Sequence, residues 1–381
     1  MSEIKNQINV IHVVGGMERG GTETMIMNLY RYIDRSKLSF SFLSHIKKKC
    51  SYDDEILTMG GKIFHVTPLG QIGLLRYLHE LIVFFKENKW IDVVHIHTNY
   101  QSGIVALAAR FAGIKVRFVH SHSANWPKNN NFTNNIVLFI LRWLIKFNAT
   151  DLIACSKEAA RFLFSFKTTK EITYIKNSID FSLFEKLTIS QKEKMRLDNN
   201  ISNETLVIGH IGRFEKVKNH DFIIQIALEL LEKKYSNFRI ILVGNGSLYN
   251  EVKKKIHDYN LEKYFSLFGI REDIAEILNM MDVFILPSFY EGLPLTVIEA
   301  QTIGLPCYVS KSITTECDLG MGLINYVELE KGPQHWAQLL MNSSNVTTTE
   351  KSKRFKIVTE KGFNARENVN ELTKLYYRYK I

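Results

Sequence analysis

Short apolar, β-branched runs alternate with longer helix-spaced patterns along nearly the whole chain, and that rhythm constrains the fold more than any other feature. Asn9–Val14, Ser39–Leu43, Lys62–Val66, Val93–His97, Arg117–His120, Leu152–Ala154 and Thr173–Ile175 read as strands. Between them Glu23–Tyr32, Leu74–Lys86, Ile104–Ala112 and Lys157–Phe164 carry apolar residues at helical spacing. Strands separated by helices predict parallel sheets built from βαβ units.

A charged, polar stretch from Ile189 to Glu204 then interrupts the rhythm and reads as an interdomain connection. The pattern restarts with strands at Leu206–Arg213, Arg239–Val243, Tyr264–Phe268 and Val283–Leu286. Helices are expected near Phe222–Lys233, Leu248–Tyr259 and Ile274–Met280, with another opening at Pro294. The expectation is an α/β chain of two doubly wound parallel-sheet domains. Residues 1–188 are expected to form the first and 189–365 the second, with a C-terminal helix over 366–381 crossing back to the first. In such sheets ligands bind beyond the carboxyl ends of the strands, so two facing units would hold a ligand in the cleft between them.

A chain of 381 residues, 45% of them hydrophobic, is long enough for two cores. Cys50, Cys155, Cys307 and Cys317 form no CxxC pair and no metal spacing, and read as reduced thiols packed as small apolar residues. The N-terminus lacks the basic, then long apolar, pattern of a secretory signal. The net charge of +10 is concentrated early: residues 1–185 hold 23 Lys/Arg against 15 Asp/Glu. That favours anionic partners, yet no RNA-binding aromatic motif or zinc-finger spacing accompanies it, so nucleic acid is not expected. Phe132–Phe147 is apolar but too short for a span of ~20 residues, and Arg142 and Lys146 break it. It reads as a packed helix, with the alternative of a helix in a membrane interface, Trp143 and Arg142 at headgroup level.

Chemistry concentrates in ILPSFYEGLPLTVIEAQTIGLP, Ile285–Pro306. A strand feeds a turn with Glu291 and Gly292, and Pro294 is expected at the first helical position, where its missing N–H costs nothing. The amides of Leu295 and Thr296 then face outward at the positive end of the helix dipole, which suits a phosphate. Glu299 follows eight residues after Glu291. In GRFEKVKN, Gly212 allows close backbone passage, while Arg213 and Lys218 can converge on one anion. GGMERGGTE, with Gly20 and Gly21, is a second glycine-rich strand-to-helix loop. Gly244 in VGNGSL and Arg271 after Gly269 complete the edge. His95 and His97 share one strand face, as do His120 and His122 in VHSHS. They read as hydrogen-bonding groups, and no metal is expected; no DxD triplet occurs in the chain either.

Together GGTE, VHSHS, DLIACS, IKNSID, GRFEKVKN, VGNGSL, FGIREDI and the Glu291-x7-Glu299 segment resemble the retaining glycosyltransferases of family GT4, and the resemblance covers nearly the whole chain. It implies the GT-B fold, two facing Rossmann-like domains with an interdomain cleft, the first binding acceptor and the second the nucleotide-sugar donor. It implies that Arg213 and Lys218 grip the donor diphosphate with amides of Leu295, Thr296 and Gly21, that Glu299 holds the ribose, and that Glu291 lies by the sugar. Gly20, Gly212, Gly244, Arg271 and Gly292 join the donor set. A first-domain histidine, His120 or His122, reaches the transferred sugar. The activity implied is sugar transfer from a nucleotide-diphosphate sugar, UDP-linked by family habit, to a glycan or lipid-linked glycan in bacterial surface polysaccharide synthesis. No cofactor or metal is implied. The setting is cytoplasmic, with peripheral contact on anionic membrane. The alternatives are another nucleotide-sugar enzyme of this fold, an epimerase or phosphorylase, or a non-catalytic nucleotide binder. Ser178 in IKNSID stands where many relatives have Gly.

Overall fold

The computed structural model describes residues 7–122, 132–166, 168–184, 187–343 and 350–379. The opening MSEIKN and Ser123 of the VHSHS motif lie outside them. The chain divides into two units, Met1–Ile179 with Gly362–Ile381, and Asp180–Lys361.

The first unit is a seven-stranded, all-parallel sheet of β1 (Ile8–Val14), β2 (Leu38–Ser44), β3 (Lys62–His65), β4 (Val93–Ile96), β5 (Val116–Ser121), β6 (Asp151–Ala154) and β7 (Ile172–Tyr174). Its order is β3-β2-β1-β4-β5-β6-β7, the doubly wound arrangement. The central strands are apolar on both faces because helices cover both, each face burying its own cluster. The helix Ala365–Tyr377 belongs to this unit and inserts Val369, Leu372, Leu375 and Tyr376 among Met27, Tyr30 and Phe40. Burying each such aliphatic side chain contributes roughly 1.5–3 kcal/mol.

The crossing chain is pinned inside the same unit. Ile179 donates its amide to the Phe363 carbonyl at 2.9 Å, Asn28 donates to the Ser178 carbonyl at 2.8 Å, and Asn368 to that of Lys176 at 3.0 Å. Ser178 is fully buried and is not among the residues with positive φ, so this turn requires no glycine.

The second unit is a six-stranded parallel sheet of β8 (Leu206–Ile211), β9 (Phe238–Val243), β10 (Phe265–Gly269), β11 (Val283–Leu286), β12 (Cys307–Ser310) and β13 (Ile324–Val327), in the order β10-β9-β8-β11-β12-β13. Ile189–Asp198, expected within a connection, is an ordered helix of this unit. Thr188 and Gln191 close a reciprocal capping box at its start. Arg196, 3% exposed, donates to the Met280 carbonyl at 2.9 and 2.6 Å and pairs with Asp282 at 2.7 Å. The chain passes between units at Ile179 and Gly362 rather than at 188 and 366. All four cysteines are buried and unbridged.

Candidate functional site

In the second unit the strand order reverses between β8 and β11, and doubly wound sheets bind ligands beyond the strand ends at such a switch point. The loop after β8 carries Gly212, Arg213 and Lys218; the loop after β11 carries Glu291 and Gly292. Three links hold these loops together. The Phe289 amide donates to the Val217 carbonyl at 2.9 Å. The Asn219 side chain donates to the Pro287 carbonyl at 3.0 Å, from a residue in the left-handed region at φ 57°. Lys218 Nζ lies 2.6 Å from Glu291 Oε1, with both side chains largely buried. Arg213 stands exposed beside them in sequence.

Pro294 is the residue that caps the next helix, not its first helical residue; the helix runs Leu295–Ile303. No side chain caps it, so the amides of Leu295 and Thr296 have no acceptor in a preceding turn. Glu299 sits on this helix, and burial pushes its carboxyl up to about 7.

The remaining donor-side positions divide. Gly244 adopts φ 133°, and a Cβ there would overlap the Gly212 carbonyl oxygen, so its missing side chain serves loop packing. A Cβ at Gly292 would meet nothing within 4 Å, leaving its surface open. Arg271 is engaged with Asp273 through bonds of 2.7 and 2.5 Å. The sequence reading missed His210. Its Nδ1 lies 3.0 Å from the Ile285 carbonyl and therefore donates, which leaves Nε2 unprotonated. A Cβ at Gly212 would lie 3.0 Å from Lys218 Cε and 3.2 Å from His210 Nε2, so the lysine stem and the imidazole both close on this glycine.

In the first unit Gly20 caps the helix Gly21–Tyr32 without a side-chain bond, and a Cβ at Gly21 would meet nothing within 4 Å. At the switch point between β1 and β4, five imidazoles stack on one face. His12 on β1 is in register with His95 on β4. Ring centroids are 4.3 Å apart for His95–His97, 4.0 Å for His120–His122 and 5.2 Å for His12–His97. His120 is 1% exposed, whereas His122, just past the end of β5, is only half-buried and is the more accessible of the two. Burial lowers His12 to about 3 and His122 to about 4, and holds His95, His97 and His120 well below the usual range.

Two imidazole triples, His12/His95/His97 and His97/His120/His122, bring ligand atoms within 4.8 Å of one another. Within them His12 Nδ1 is 3.0 Å from His97 Nε2, and His97 Nδ1 is 2.8 Å from His122 Nε2. Two 2.0–2.1 Å arms around tetrahedral zinc would separate nitrogens by ~3.3 Å. At 3.0 and 2.8 Å these two nitrogen pairs lie within hydrogen-bond distance of each other.

The helix Phe132–Asn148 buries Leu138, Leu141 and Ile145 and exposes Ile136, Phe139, Ile140, Trp143 and Phe147. Arg142, expected at headgroup level, instead lies over the Phe162 ring and donates to the Phe162 carbonyl. Lys146 stays beside Trp143 and Phe147. No helix among the described residues is long and apolar enough to cross a membrane.

Comparison with known proteins places this geometry. Residues 191–319 match the family model "Glycosyl transferases group 1" and residues 19–183 match "Glycosyltransferase Family 4". The chain is 38% identical over 373 residues to "Putative glycosyltransferase EpsF" of Bacillus subtilis (strain 168), covering 97% of each chain. It is 30% identical to the UDP-Gal:alpha-D-GlcNAc-diphosphoundecaprenol alpha-1,3-galactosyltransferase of Escherichia coli, over 67% of each. Among solved structures, Anabaena HepE in complex with UDP and glucose superposes with a TM-score of 0.77 at 17% identity, covering 98% of this chain and all of the other.

Proposed function

The chain belongs to the group 1 and family 4 glycosyltransferases and carries their GT-B pair of Rossmann-like units, and from that premise we propose that it moves a sugar from a UDP-sugar to a lipid-linked glycan with retention of configuration. The observation that carries this reading is the second unit's switch point. There the Lys218–Glu291 pair joins the loops after β8 and β11, Arg213 lies in the first of these loops, and the uncapped helix Leu295–Ile303, which carries Glu299, follows the second. The UDP bound to HepE and the UDP-Gal in the galactosyltransferase's name support the nucleotide.

Transfer breaks the bond between the anomeric carbon and a β-phosphate oxygen while the acceptor oxygen bonds to that carbon. Charge grows on the departing diphosphate as the sugar becomes oxocarbenium-like. In this reading Lys218, Arg213 and the amides of Leu295 and Thr296 face that charge, and they stabilise the transition state more than the ground state. This reading needs no metal. In same-face attack the acceptor proton passes to a donor phosphate oxygen, and Glu291 stays an electrostatic neighbour of the sugar, not a covalent nucleophile. Glu299 hydrogen-bonds the ribose hydroxyls, and His122 donates to a substrate oxygen from the first unit.

The lipid-linked acceptor is supported by the exposed apolar stripe of Phe132–Asn148. The test is incubation with UDP-sugars and polyprenyl-diphosphate-linked acceptors in EDTA, with the linkage read by NMR. An α-linked product from an α-linked donor is expected. Hydrolysis or epimerisation without an acceptor-dependent product would reject the proposal.

A further inference from the structure

The five stacked imidazoles contain a chain of hydrogen bonds whose direction can be worked out. It runs from His12 Nδ1 to His97 Nε2 at 3.0 Å, from His97 Nδ1 to His122 Nε2 at 2.8 Å, and from His122 Nδ1 to Asn177 Oδ1 at 3.4 Å. Neutral imidazole has one donor and one acceptor, so each ring's tautomer dictates its neighbour's. If His122 carries its proton on Nδ1, it donates to Asn177. His122 Nε2 then accepts from His97 Nδ1–H, and His97 Nε2 accepts from His12 Nδ1–H. The far end is His12 Nε2, a bare lone pair buried without a partner.

The reverse polarity fails at the His12 end, where it strands an N–H on buried His12 Nε2. A buried donor without an acceptor is rarer and costlier than an under-used acceptor. Among the described residues, the titratable groups facing these rings are His95, which lies tilted against His97 and bonds Tyr376 through the phenol at 2.6 Å, and His120, which stacks on His122. Burial keeps His12, His97 and His122 neutral.

We propose that His12 and His97 are positioning residues that lock His122 as a one-way hydrogen-bond donor, through Nδ1–H, toward a substrate oxygen. The bond to Asn177 is the longest in the chain, so a substrate hydroxyl can replace it at little cost. Because Nε2 already accepts from His97, His122 cannot act as a general base. The substrate contact rests on the glycosyltransfer reading; the tautomer lock does not.

Nitrogen-15 NMR of histidine-labelled wild-type protein tests the lock without any variant. The expected spectrum shows His12, His97 and His122 as neutral Nδ1–H tautomers down to pH 5. A proton on His122 Nε2 overturns the proposal while leaving sugar transfer untouched. His97→Asn, whose amide nitrogen sits where Nδ1 was, is expected to keep the His122 tautomer and near-normal kcat/KM. His97→Leu is expected to mix the tautomers and lower kcat/KM about 10-fold, the effect of losing one orienting hydrogen bond. Equal activity in the two variants, whether both normal or both impaired, contradicts a positioning role. Wild-type protein with the three tautomers but no transfer activity would remove the proposed function and leave the lock standing.

Discussion

Lys218 Nζ sits 2.6 Å from Glu291 Oε1, so the cation expected to grip the leaving diphosphate and the carboxylate expected beside the sugar are one ion pair. The pairing holds the ammonium at the switch point before any ligand arrives. It also makes the two residues a unit whose effects do not add. Lys218→Ala is expected to lower kcat by ~10²–10³. Glu291→Ala is expected to cost less, and the double variant about as much as Lys218→Ala alone. A double-mutant cycle on the transfer rate measures this; strict additivity would show that the pair does not work as one element.

Glu299 gives a pH signature with a definite sign. Its carboxyl is raised to about 7 in the folded protein, above the ordinary ~4.3 of an unfolded chain. The folded state therefore binds the extra proton between those values. The resulting stability is full below the unfolded pKa and is lost as pH rises through about 7. Glu299→Gln removes the titration, so it should raise the melting temperature at pH 8 and not at pH 5, by up to ~3 kcal/mol in free energy. A pH-independent difference between variant and wild type would show that Glu299 titrates normally.

The imidazole face of the first unit has the opposite sign. His12 and His122 are lowered to about 3 and about 4, while an unfolded histidine titrates near ~6.5. Stability from these groups is present above that unfolded value and lost as pH falls through the folded values. At pH 5 each is expected to have lost about 2 kcal/mol relative to pH 7.5. Urea unfolding at the two pH values, monitored by amide exchange on β1 and β5, measures it. An unchanged midpoint for these strands contradicts the buried, neutral state.

The outer face of Phe132–Asn148 presents Phe139, Trp143 and Phe147 with Lys146 beside them. Flotation with anionic vesicles at low salt should carry the protein upward. Phe139→Asp with Trp143→Asp should abolish flotation without lowering the melting temperature, since neither ring is buried. Equal flotation of the double variant would place the membrane contact elsewhere.

Most strands were legible because parallel sheets covered on both faces demand short, continuously apolar runs, as at Val283–Leu286, bounded by turn residues. Ile189–Asp198 was not legible as part of a unit, since its buried anchor is a charged residue, Arg196, reaching a carbonyl and a carboxylate. The local sign was Thr188-x-x-Gln191, a capping-box spacing. His12 was invisible as a site residue until strand pairing put it opposite His95. The bond between His95 and Tyr376 spans most of the chain, and no local pattern announces it. Motif order placed Arg213, Lys218, Glu291 and Glu299 on one sheet edge, but the Lys218–Glu291 pairing required coordinates.

The second unit's switch point is expected to bind a nucleoside diphosphate with fixed protein cations and a helix start, without a metal. Calorimetric titration of UDP in EDTA tests it most directly, using wild type, Arg213→Ala, Lys218→Ala and Glu299→Ala. Saturable wild-type binding is expected, weakened at least about 10-fold in each variant with folding intact. Binding that requires added divalent metal, or that all three variants retain at wild-type strength, would contradict it.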